Sequence, residues 1–135
     1  MAEKTLTEAD IRDAAEMLDC APAAVNAVID VETGGSGFLA DGRPKILFEA
    51  HVFSRLTDGK FDKAFPTLSA AEWSRDLYKG GAGEYDRLHT AMGLDAAAAV
   101  QAASWGLFQI LGVNHDLCGF STADRFVDDQ RQSER

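Results

Sequence analysis

A chain of 135 residues is long enough for one domain with a substantial core and short for two. Its 46% hydrophobic content and only 3 prolines exclude a disordered chain, and alanine-rich periodic segments outnumber β-branched runs, which predicts a mainly helical fold. A formal charge of −9 argues against a nucleic-acid partner, whose phosphates it would repel, and disfavours docking on an anionic surface through the overall field.

Thr7-Glu8-Ala9-Asp10 has the form of a helix start, with Thr7 as N-cap, and Ile11, Ala14, Ala15 and Leu18 supply an apolar face. A first helix is expected over about residues 8–19. Pro22 suits the first turn of a second helix, which should run to about Val31 and stop within a residue or two of Glu32. Gly34, Gly35 and Gly37 follow and accept backbone angles that other residues avoid. Phe38-Leu39-Ala40 and Lys45-Ile46-Leu47-Phe48 flank the turn sequence Asp41-Gly42-Arg43-Pro44 and read as a small β-hairpin, one wall of a groove. Glu49–Leu56 reads as a third helix, closed by Asp58-Gly59 and followed by an aromatic loop with Phe61, Phe65 and Pro66. Ser69-Ala70-Ala71-Glu72 is a capping box predicting a helix through Tyr78, broken by Gly80-Gly81-Ala82-Gly83. Further helices are expected over about Glu84–Met92 and Ala96–Ala103, then a short one over Trp105–Leu111. Phe120, Ala123, Phe126 and Val127 begin a last helix that dissolves into a charged tail from Asp128. No internal repeat and no Gly-, Ser- or Pro-rich linker divides the chain, so residues 1–135 read as a single domain.

No apolar run reaches the roughly 20 residues of a membrane helix. The start lacks the basic and apolar regions of a secretory signal, so synthesis in the cytoplasm is expected, with any periplasmic target needing a separate exit route. Cys20 and Cys118 are expected as buried free thiols rather than a disulfide framework. His51, His89 and His115 share no metal-ligand spacing with one another or with the cysteines, so no metal and no cofactor is expected.

Glu32 is the most informative residue. A carboxylate at a helix C-terminus meets the negative end of the helix dipole, and apolar Val31 and Phe38 are placed to desolvate it further. Both effects favour the protonated form, which suits a general acid able to protonate a glycosidic oxygen. The plainer alternative is a solvated glutamate beside a helix-ending glycine. The second signal is Ala103-Ser104-Trp105-Gly106-Leu107-Phe108-Gln109-Ile110. There Gln109 offers a donor and an acceptor for a sugar hydroxyl or acetamido group, and Trp105 or Phe108 is placed to face a pyranose ring. The alternative makes Ser104 a helix cap, Gln109 a surface residue and the aromatics core.

Three stretches together carry a family likeness. Ala24–Glu32, Ile46–Phe53 and Gly106–His115 resemble the N-acetylmuramidase domain of phage endolysins, over about Leu6 to Val127. Glu32 with Gly34, Gly35 and Phe38, and Ser104-Trp105-Gly106-Leu107-Phe108-Gln109-Ile110 downstream, are also similar to elements of goose-type lysozymes and soluble lytic transglycosylases. The resemblance implies a lysozyme-like α+β fold, mainly helical, and cleavage of peptidoglycan between N-acetylmuramic acid and N-acetylglucosamine. It makes Glu32 the catalytic acid and places Ser104 and Gln109 along the sugar cleft. Glu49 and His51 match a Phe-Glu-x-His element: Glu49 either orients a water or fixes His51, and a structural hydrogen bond is an equal alternative. It also implies holin-dependent export to the periplasmic wall. Members usually continue for several tens of residues with a Tyr-Asn-Gly-type element, and nothing after Asp124 supplies one, so the C-terminal part of the fold is expected to be missing. The alternatives left open are a catalytically inactive truncated prophage remnant and a lytic transglycosylase.

Overall fold

The computed structural model describes residues 5–135; the first four, part of the start read above for a leader, lie outside the described residues. Six α-helices surround one small antiparallel sheet in that span. Helix α1 (Glu8–Met17) opens with Thr7 as the expected N-cap, within a full capping box: the Thr7 hydroxyl accepts from the Asp10 N–H, and the Asp10 carboxylate accepts from the Thr7 N–H at 2.8 Å. Helix α2 (Pro22–Thr33) has Pro22 in its first turn and ends at Gly34, whose φ of 67° is the left-handed cap that glycine adopts without strain. Ala15, Val25, Ile29 and Leu107 form a satellite core beneath this helix pair.

Strand β1 (Ile46–Phe48) leads into α3 (Ala50–Leu56), with Glu49 at its N-cap. After a long connection come α4 (Gly83–Leu94), α5 (Ala96–Gln101), β2 (Ala103–Trp105), β3 (Ile110–Leu111) and α6 (Ala123–Gln132). The sheet order is β1-β2-β3, with Leu47 opposite Ser104 and Ser104 opposite Leu111. Pleating therefore splits the sheet into two faces. Ile46, Phe48 and Trp105 are buried in the main core with Phe53, Leu88 and Phe126, while Leu47, Ser104 and Leu111 form one row on the opposite face.

Several expectations need correcting. The hairpin exists only as a tight loop with a single bridge, Phe38 to Pro44, and β1 pairs instead with β2. No helix spans 69–78. The Ser69 hydroxyl that would cap it is donated to Asp62, and the Ala70 N–H goes to the Ala50 carbonyl, leaving only a 3-10 turn over Arg75–Leu77. Trp105–Leu111 is not a helix but the end of β2, a turn and β3. Gly106 and Gln109 both have positive φ, 76° and 51°, which no α-helix tolerates. The last helix starts at Ala123, capped by Thr122, and continues through the stretch read as a charged tail. Beyond it, the Glu134 carboxylate accepts from the Leu6 and Gly37 N–H groups at 2.9 and 2.8 Å. Cys20 and Cys118 are free, as expected, but exposed rather than buried.

Among the described residues, one ion pair lies wholly inside. Glu84 and Arg87, one turn apart on α4, meet at 2.8 Å with side chains 0% and 3% exposed. Glu84 accepts from the N–H groups of Phe48, Lys79 and Gly80, and Arg87 donates to the carbonyls of Phe48 and Thr67. Removing one charge strands the other in a medium that solvates it poorly. Glu84→Gln should therefore lower the unfolding free energy by about 3–5 kcal/mol in urea denaturation. A loss under about 1 kcal/mol would mean that the pair is not a structural anchor.

Candidate active site

Glu32 sits in the last turn of α2, and three contacts fix that turn. The Thr33 hydroxyl lies 3.2 Å from the Ile29 carbonyl and 3.1 Å from the Leu107 carbonyl and shares its one proton between them, and Lys45 Nζ donates to the Thr33 carbonyl at 2.9 Å. A cation at a helix C-terminus also complements the dipole there. The Glu32 side chain is exposed, at the mouth of a groove. Val31 is 83% exposed, so the expectation that it desolvates Glu32 does not hold.

The groove consists of two hollows, of about 320 and 390 Å³, that share Glu32, Leu47 and Gln109. Thr33, Leu39 and Lys45 line the first; Glu49, His51, Trp73 and Ser104 line the second. All five residues proposed from sequence thus meet in one place, and Glu32 stands where the hollows join. Ser104 forms floor rather than a helix cap, because it lies in the central strand between Leu47 and Leu111. Gln109 is held by its own amide: Nε2 donates to the Lys45 and Gly106 carbonyls at 3.1 and 2.8 Å. With both amide hydrogens engaged, what Gln109 can offer a ligand is its carbonyl oxygen.

Neither aromatic expected to face a sugar does so. Trp105 is 1% exposed, with Nε1 donating to the Val100 carbonyl, and Phe108 packs away from the groove toward Leu6 and Ala14. The aromatic side of the groove is instead Trp73 with Tyr78 behind it, which sequence reasoning had placed in a helix. The available signal was a Trp and a Tyr in a stretch with no apolar periodicity to bury them.

Glu49 is the second carboxylate of the groove. One of its oxygens accepts the Tyr78 hydroxyl proton and lies 3.6 Å from His51 Nδ1, an ion-pair distance rather than a hydrogen bond. Tyr78 also accepts from Trp73 Nε1 at 2.9 Å. Burial first, and the neighbouring Glu49 carboxylate second, push the Tyr78 phenol up to about 12. Among the described residues, no group of three or more His, Cys, Asp or Glu side chains is placed to hold a metal ion, and no helix is long and apolar enough to cross a membrane.

The family model described as N-acetylmuramidase matches residues 21–135. Among solved structures, the chain is similar to the Burkholderia AP3 phage endolysin, with 40% sequence identity and a TM-score of 0.86. The match covers 98% of this chain and 51% of that one, so the chain spans about half the length of the endolysin it resembles. No curated protein matches. The family match takes in the Glu32 helix, the Glu49 element and the strand-turn-strand that carries Ser104 and Gln109. On that ground, the chain belongs to the N-acetylmuramidase family.

Proposed function

We propose that the protein is a peptidoglycan hydrolase that cleaves the glycosidic bond between N-acetylmuramic acid and N-acetylglucosamine, with Glu32 as general acid. The observation that carries this reading is the position of Glu32 at the junction of two hollows, which suits a bond in the middle of a polymer. The groove is open at both hollows, so a glycan strand need not thread its end. A strand lying in it covers Glu32 and displaces water from the carboxyl, the condition in which a proton is best kept for donation. Glu32 gives that proton to the bridging oxygen, the C–O bond breaks, and the leaving sugar departs as an alcohol. A water then adds to the anomeric carbon and loses a proton.

Glu49 is the group suited to receive that proton. The Tyr78 hydroxyl donates to one of its oxygens and so orients the carboxyl at the groove. Ser104 and the Gln109 carbonyl oxygen supply polar contacts for hydroxyl or acetamido groups along the floor. The wall would be reached by a separate exit route such as a holin.

A digest of purified peptidoglycan, read by mass spectrometry, tests bond and mechanism together. Hydrolysis at the muramic acid side gives products with a reducing N-acetylmuramic acid end; 1,6-anhydro ends would replace hydrolysis by a transglycosylase reaction. Glu32→Gln should keep the fold and lower the rate by about two to four orders of magnitude, the range of a lost general acid. Equal rates for both proteins would remove Glu32 from the chemistry.

The half-buried Tyr78 hydroxyl beside Glu49 has its own signature. Tyr78 and Tyr85 are the chain's 2 tyrosines, and both phenols are pushed up to about 12, chiefly by burial. Between about pH 10 and 12 the unfolded chain gives up phenolic protons that the folded chain keeps. Their contribution to stability is therefore complete below pH about 10 and lost as pH rises through that window. Absorbance titration of the native protein should show no phenolate at about pH 10.5, against roughly two ionising tyrosines in denaturant. Phenolate appearing in the native protein near its ordinary pKa would show that Tyr78 does not hold Glu49 as described.

A further inference from the structure

Trp73 is the one aromatic among the large apolar side chains exposed in the described residues, at 60%. Scattered exposed apolar side chains are ordinary; what sets this one apart is that it lines the hollow shared with Glu32 and Glu49. This indole is also held in place: Nε1 donates to the Tyr78 hydroxyl at 2.9 Å, and the two rings lie 6.5 Å apart, tilted by 54°. A side chain held before a ligand arrives loses little freedom when it binds. The hollow beside it contains Glu49, His51 and Ser104, polar groups able to engage hydroxyls. One face of a hexopyranose ring presents carbon-bound hydrogens, apolar and weakly positive, which suit the negative face of an aromatic ring.

The hydrogen bonds beyond Trp73 run in one direction. A hydroxyl has a single proton to donate. Tyr78 gives it to Glu49 and takes the indole N–H on a lone pair. Tyr78 is itself set by the Arg87 guanidinium, 5.6 Å from its ring centre. The aromatic rim and the Glu49 carboxylate are thus one connected unit.

Building on the reading of the groove as a glycan site, we propose that Trp73 contacts the substrate, stacking on one N-acetylhexosamine ring in the Glu49 hollow. Tyr78 is the positioning residue that sets the indole and the Glu49 carboxylate together. Occupation of the rim and orientation of the carboxylate are then coupled through one hydroxyl.

The tetramer of N-acetylglucosamine, titrated into the Glu32→Gln protein and followed by tryptophan fluorescence, is the probe. Of the chain's 2 tryptophans, Trp105 is buried in the core and reports little, so a saturable change in emission should come from Trp73 and vanish in Glu32→Gln/Trp73→Phe. In the otherwise unaltered chain acting on peptidoglycan, Trp73→Ala should raise KM about tenfold, the size of one aromatic contact, and change kcat less. Tyr78→Phe keeps the ring but loses both hydrogen bonds, and should act mainly on kcat. A merely structural role would lower the thermal midpoint without separating the two constants. Wild-type KM in Trp73→Ala, or calorimetric binding of the tetramer with unchanged emission, overturns the proposal while leaving cleavage through Glu32 standing. A Trp73-dependent response in a protein that releases no muropeptides supports it and removes the reaction instead.

Discussion

The buried Glu84–Arg87 pair is the interaction on which the rest of the groove depends. Two charges taken out of water need partners nearby; here, Arg87 Nε apart, these are backbone groups from three separate segments. Phe48 is held at both its N–H and its carbonyl, so the residue that follows, Glu49, leaves β1 in one fixed direction. Lys79 and Gly80 are held at their N–H groups, so Tyr78, just before them, is delivered to the same place. The Arg87 guanidinium also lies over the rings of Phe48 and Tyr78, at 5.3 and 5.6 Å from their centres. An apolar pair of the same volume could fill this space, but it could not gather three chain segments by their hydrogen-bonding groups.

A second network fixes Glu32 relative to the floor. Gly106 donates its N–H, and Gln109 its amide, to the Lys45 carbonyl; Lys45 Nζ donates to the Thr33 carbonyl; the Thr33 hydroxyl donates to Leu107. The path returns to the 106–109 turn where it began. It explains why a glutamine accepts a φ of 51°: the strained backbone places its amide where two carbonyls need a donor. Gln109 therefore braces this turn before it can touch a ligand. Leu47 and Ser104, paired across the sheet, line the same hollow as Glu32 and Glu49.

How much of this was legible in the sequence follows from the range of each interaction. The Thr7 N-cap, the Gly34 stop and Glu49 at the head of α3 are signals complete within a few residues, and all three stand in the structure. Ser104–Ile110 defeated the same reasoning because β2 finds its partner on β1, more than 50 residues earlier, and a short apolar run has no period to reveal that. The Ser69 capping box failed because Asp62, outside the motif, takes its hydroxyl. Glu84 and Arg87 at i and i+3 look like an ordinary solvated pair; only the folded arrangement around α4 makes them interior. Trp73 and Tyr78 were hidden for the same reason: what matters about them is a hydrogen bond to a residue on another element.

The exposure of Glu32 in the free protein looks at first like an argument against the acid role proposed for it. It is better understood through the shape of the groove. An enclosed pocket would shelter the carboxyl in advance, but no polymer could enter it sideways. An open groove with a rigid floor lets a strand settle along both hollows, and the strand itself then supplies the low-dielectric cover. The chain's charge of −9 points the same way, because a strongly acidic surface gives no long-range pull toward an anionic wall. On the proposed reading, contacts of a strand inside the groove also cover Glu32, so binding there and sheltering of Glu32 are one event. A site of this kind needs its floor and second carboxylate fixed beforehand, and that is where the two hydrogen-bond networks are concentrated.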